Sequence, residues 1–129
     1  MMTATLKLNH INLTVTDVAA SAHFFEQHFG FKIAEVKGEN MLAILEGTGG
    51  FVLVLMADTS NRKGNNTYPE MFHIGFLVDT ADEVNKIYEG LKKAGLATER
   101  APGNLRGGFG FYFNAPGGIL TEVTCLTQN

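Results

Sequence analysis

A single cysteine, Cys125, stands in 129 residues, so no internal disulfide can form, which fits a reducing cytoplasm. Charge is sparse as well. The 10 basic and 13 acidic residues give a net charge of −3 and are scattered rather than blocked. This argues against nucleic acid as a partner, because binding it calls for a basic face that neutralises phosphates. Long apolar runs are missing. The longest, Phe51 to Ala57, is far short of the ~20 residues that span a bilayer. The opening segment MMTATLKLNH lacks a basic stretch followed by an apolar one, so nothing in it marks export. A cytoplasmic protein without membrane or nucleic-acid partners is expected.

What is present is a repeat. Leu8 to Val15 reads LNHINLTV and Met71 to Val78 reads MFHIGFLV, each an alternating strand with histidine in third place. His10 and His73 are thus equivalent positions. After the first strand come Thr16 and Asp17, then apolar residues at Val18, Ala22, Phe25 and Phe29, closed by Gly30. That is a capped amphipathic helix stopped by glycine. After the second strand, Thr80 and Glu83 have capping-box spacing, and Val84, Ile87, Tyr88, Leu91 and Ala94 form the apolar face ahead of Gly95. The segments LAILEGTGGFVLVL (42–55) and GFYFNAPGGILTEV (110–123) align on their glycine pairs, and each reads as strand, tight turn, strand. One more short strand per half is expected, at Lys32 to Val36 and near Ala97 to Ala101.

Each half is therefore a βαβββ unit, and the fold class is α+β with two such modules in tandem. A module of about 60 residues buries too little surface to be comfortable alone. The expected organisation is one domain over 1–129, with modules at about 5–57 and 68–127 joined by a polar connector. The segment ADTSNRKGNNTYPE (57–70) is read as that connector rather than as a lid or dimer arm.

Strand parity then selects candidate chemistry. In the first strand Ile11, Leu13 and Val15 share the face expected to pack on the helix, which leaves His10, Asn12 and Thr14 on the other. His73, Gly75 and Leu77 take that open face in the second copy. Glu122 lies mid-strand in ILTEVTC, where a carboxylate is costly to bury unless paired or bound to a cation. Alternation by itself also admits a solvent-facing carboxylate. Two imidazoles and a carboxylate from rigid strands form the set used for Fe(II), Mn(II), Ni(II) or Zn(II) with positions open for substrate. Cys125 has the opposite parity to Glu122 and reads as a packed thiol. His23 and His28, five apart on a helix, cannot share an ion.

Arg106, in the glycine-rich stretch APGNLRGG (101–108), is a candidate clamp for an anionic group. That stretch reads as a flexible loop and lacks Walker spacing. Tyr112 and Asn12 are further candidate substrate contacts, and FVLVLMA supplies apolar pocket wall from one of its two faces.

The tandem βαβββ pattern, with NHINLTVTD opening the first module, FHIGFLVDT opening the second and APGGILTEV closing it, resembles the vicinal oxygen chelate superfamily. That group holds glyoxalase I, fosfomycin-resistance thiol transferases, extradiol dioxygenases, methylmalonyl-CoA epimerase and bleomycin-resistance proteins. The resemblance covers nearly the whole chain. It implies a curved mixed sheet around a cavity, one divalent metal ion on His10, His73 and Glu122, a small-molecule substrate chelated through adjacent oxygens, and a homodimer. In the dimer the modules either pair within one chain or are exchanged between subunits. The fourth ligand of the glyoxalase and epimerase types falls on Val54, which puts glyoxalase-type proton transfer in doubt. The expected function is a metal-dependent lyase, transferase or extradiol-type dioxygenase; the alternative is a metal-free drug- or metabolite-binding protein of the bleomycin-resistance type.

Overall fold

The computed structural model describes residues 4–60, 68–96 and 100–126. The chain divides into two compact units, Met1–Asn66 and Thr67–Asn129, each with its own sheet and helix.

In the first unit β1 (His10–Val15) is followed by α1 (Val18–His28), β2 (Lys32–Lys37), β3 (Leu42–Glu46) and β4 (Val52–Ala57). The sheet order is β1-β4-β3-β2, with β1 and β4 parallel and the other pairs antiparallel. Helix α1 begins where Asp17 accepts a hydrogen bond from the Ala20 amide at 3.0 Å. Asn40, from the β2–β3 connection, takes the Ala19 amide at 2.7 Å, so two of the helix's orphan donors are satisfied. The helix packs on β2, β3 and β4. Leu13, Val15, Ala43, Leu45, Leu53 and Leu55 are buried on the sheet face that belongs to this core. Val18, Ala22 and Phe25 are buried as the helical period requires, and Phe24 joins them. Phe29 ends up as the C-cap, half-buried, with its ring 5.2 Å from that of Phe24. The other side of β4 carries Val52, Val54 and Met56, in register with His10, Asn12 and Thr14.

The second unit repeats the plan. Its elements are β5 (Ile74–Leu77), α2 (Ala81–Lys93), β6 (Gly103–Leu105), β7 (Gly108–Ala115) and β8 (Ile119–Leu126), in the order β5-β8-β7-β6. Again the first and last strands are parallel. The Thr80 hydroxyl caps α2 by accepting from the Glu83 amide and donating to the Glu83 carboxylate, both at 3.2 Å. Val84 and Leu91 are fully buried beneath it, with Ile87 and Tyr88 half-buried. Both glycine pairs make the expected turns: Gly49 and Gly50 have φ of 65° and 80°, and Gly117 and Gly118 have 96° and 93°. These left-handed values strain any residue with a Cβ.

Two sequence expectations are corrected. The extra strand of the second half lies at Gly103–Leu105, not near Ala97 to Ala101, of which 97–99 fall outside the described residues. Pro102 offers no amide to a ladder, so pairing with β7 starts after it, at Gly103↔Gly110. The stretch 101–108 is accordingly a strand and a tight turn at Arg106 and Gly107 rather than a loop throughout. Of the connector, 61–67 lie outside the described residues, and Asp58–Ser60 form one short 3-10 turn. Among the described residues no helix is long and apolar enough to cross a membrane.

Candidate metal centre

The ladders fix which residues share a row. On the open face of the second sheet, Gly75, Glu122 and Tyr112 form one row across β5, β8 and β7. In the first sheet the corresponding row is Asn12, Val54 and Ile44. The repeat thus sets Val54 where the other unit has Glu122, and Asn12 where it has Gly75.

His73 immediately precedes β5. Its Nε2 lies 3.4 Å from Oε1 of Glu122. Its Nδ1 lies 3.0 Å from the Met71 carbonyl. A carbonyl only accepts, so Nδ1 carries the hydrogen, and in the neutral ring Nε2 keeps a lone pair facing the carboxylate side. The side chains are 33% and 19% exposed, so the pair is shielded yet open to a small molecule. Tyr112 completes the cluster, its ring edge-on to His73 with centroids 5.3 Å apart. Its phenol is held above the usual range, first by burial, then by the charge of Glu122 and a hydrogen bond to it; Arg106 pulls the other way. Arg106 itself is exposed in the β6–β7 turn, within electrostatic reach of Tyr112. Beside Tyr112 a cleft of about 370 Å³ is lined by Arg100, Asn104, Leu105 and Phe111, among others.

In the first unit His10 opens β1, with Asn12 two residues on along the same face. The His10 Nδ1 is 3.1 Å from Oδ1 of Asn9. Its Nε2 is therefore also the ring nitrogen left as a donor to a cation.

These features fit a divalent ion at the second unit's pair. Two donors each ~2.1 Å from one ion stand ~3–3.5 Å apart, the range in which His73 and Glu122 are found. Gly75 keeps the carboxylate side clear. Among the described residues no three His, Cys, Asp or Glu side chains form one group, so His73 and Glu122 supply two donors. The structure brings together His73, Glu122 and Tyr112, with Arg106 at their margin; His10 and Asn12 belong to the other unit.

The sequence reading missed Asn9, the Met71 carbonyl and the cleft residues Arg100 and Asn104. Asn9 had one signal, its place directly before His10. Cys125 is buried on the face away from Glu122, as its parity implied, and His23 is exposed on α1.

Comparison with known proteins places the chain in a family. A 33% identical stretch of 91 residues is shared with a probable trivalent organoarsenical cleaving enzyme of Bacillus subtilis (strain 168), covering 70% of this chain and 58% of that protein's length. A possible glyoxalase from Bacillus cereus superposes with a TM-score of 0.81 at 35% identity, over 94% of this chain and 100% of that one. Lactoylglutathione lyase from Agrobacterium tumefaciens shares the fold, with a TM-score of 0.75 at 21% identity over 95% and 96% of the two chains. The model of one family matches residues 7–123, a span that takes in both histidine strands and Glu122. The chain belongs to the Glyoxalase/Bleomycin resistance protein/Dioxygenase superfamily.

Proposed function

We propose that the chain is a divalent-metal-dependent enzyme that acts on a small molecule with adjacent oxygens, and that His10, His73 and Glu122 hold the ion. The observation that carries this reading is the His73–Glu122 pair, two donors 3.4 Å apart with the histidine's other nitrogen already committed to a carbonyl. His10 is the third donor in this reading, from the other unit of this chain or of a second copy in a homodimer. A bound ion supplies Lewis-acid polarisation of a chelated oxygen.

The chain's own groups then divide the work. Tyr112 stays protonated at neutral pH and donates a hydrogen bond at the edge of the site. Leu105, on the sheet face of Tyr112 and Glu122, accepts an apolar substrate body in the cleft, and Arg106, with Asn12 on the other unit, takes polar substrate groups. Cytoplasmic location is part of the same reading, in keeping with one unpaired thiol. A carboxylate base at position 54 is lacking, which favours addition or oxygen chemistry over glyoxalase-type proton shuttling. The arsenical activity named for the Bacillus subtilis relative is a weaker fit. Soft trivalent arsenic favours thiolates, and Cys125, 3% exposed, faces the core.

The test is elemental analysis of protein purified without affinity tag or chelator, beside Glu122→Ala. One divalent transition metal per chain in the wild type and loss in the variant support the reading. Absence from both, even after loading, overturns it. A second reading, metal-free capture of a drug or metabolite, is supported by the cleft beside Tyr112. It requires ligand binding that survives both chelator and Glu122→Ala.

A further inference from the structure

Asn9 lies just ahead of β1 and makes three bonds, each to a different neighbour. Its carbonyl accepts from the Val52 amide at 2.8 Å, which seats it at the start of the β1–β4 ladder. Its Nδ2 donates to the Gly50 carbonyl at 3.3 Å. Its Oδ1 lies 3.1 Å from Nδ1 of His10. The orientation of the amide follows from these partners, since the Gly50 carbonyl cannot donate and so faces the NH₂ end. Oδ1 is then the atom toward His10, and an amide oxygen can only accept. The imidazole must present Nδ1–H there.

The other unit reaches the same end differently. His73 also has its Nδ1 on an oxygen, but that oxygen is the Met71 main-chain carbonyl. The repeat counterpart of Asn9 is Phe72, whose side chain has no acceptor. One histidine is thus oriented by backbone, which substitution cannot remove, and the other by a single side chain braced on the Gly49–Gly50 turn.

We infer that Asn9 is a positioning residue: it locks His10 in the Nδ1–H tautomer, with Nε2 offered as an electron-pair donor. Such partners of a ligating histidine typically govern metal affinity by about 10–100-fold. The consequence for metal rests on the reading of His10 as a ligand; the tautomer does not.

The test separates the two. Long-range ¹H–¹⁵N correlation spectra are recorded on the full metal-free chain near pH ~9, where ordinary histidines are neutral. Resonances are assigned by their loss in His10→Gln and His73→Gln. Wild type should show both rings as Nδ1–H. Asn9→Leu should move His10 toward Nε2–H and leave His73 unchanged, an internal control that a general loss of structure would not spare. Asn9→Asp keeps the acceptor and should keep Nδ1–H. Mn(II) binding, followed by electron paramagnetic resonance, should weaken roughly 10–100-fold in Asn9→Leu and return to near wild type in Asn9→Asp. A wild-type His10 in the Nε2–H form, or one indifferent to Asn9→Leu, overturns the inference. Expected tautomers in a wild type that never takes Mn(II) support the positioning and sink the metal reading alone.

Discussion

Glu122 stands directly across the parallel β5–β8 ladder from Gly75, and a Cβ placed at residue 75 would come 3.4 Å from its Oε1. That distance is ordinary contact, so alanine fits; the branches of valine would press on the carboxylate. Gly75→Ala should bind Mn(II) within a few-fold of wild type, and Gly75→Val should lose roughly tenfold, or ~1.4 kcal/mol. Equal affinity in all three proteins would show that the carboxylate side of the site needs no clearance.

Tyr112 should titrate above the ~10 of an ordinary tyrosine. Absorbance near ~295 nm, differenced against Tyr112→Phe, isolates its transition from those of Tyr68 and Tyr88. Glu122→Gln should move the transition down, and Arg106→Gln should move it further up, since Glu122 raises and Arg106 lowers it. The sign for stability follows. Below ~10 both folded and unfolded chains keep this proton, whereas above it the unfolded chain releases it first. The contribution is thus lost as pH rises from ~10 through the folded value, and Tyr112→Phe should flatten that alkaline decline.

Gly110 pairs with Thr124 in the β7–β8 ladder, and a Cβ on it would lie 2.8 Å from the Thr124 Cα and run into the Val123 carbonyl. Backbone cannot yield as a flexible side chain does. Gly110→Ala should cost about 1–3 kcal/mol in urea unfolding, more than Gly103→Ala, whose Cβ would meet open space. The same melts on Gly103→Ala decide whether the cost belongs to the contact or to the residue type.

Asp17→Ala removes the acceptor for the Ala20 amide at the start of α1. A loss of about 1 kcal/mol is expected. Because Asn40 holds the neighbouring Ala19 amide at 2.7 Å, the helix should persist, and Asn40→Ala on top of Asp17→Ala should cost more than either alone. Undiminished far-ultraviolet circular dichroism in the single variant, with a lowered Tm, is the result that fits.

Much of the fold was legible because its signals are local. The helix stripes, the Asp17 and Thr80 caps and the two glycine pairs each depend on a few neighbouring residues, and strand parity correctly opposed Glu122 to Cys125. The site was legible only in part. Parity says which face a side chain takes, but not which strand lies beside it or in what register.

The chain's order of residues therefore determined the tandem βαβββ plan, the equivalence of His10 with His73, and the face on which Glu122 stands. Tertiary structure decided that β6 begins after Pro102, that Tyr112 lies opposite Glu122 and edge-on to His73, and that the Asn9 amide facing His10 is braced on the Gly50 carbonyl. Those facts depend on strand register and on hydrogen bonds between segments as far apart as Asn9 and Gly50, which only the closed ladders bring within reach.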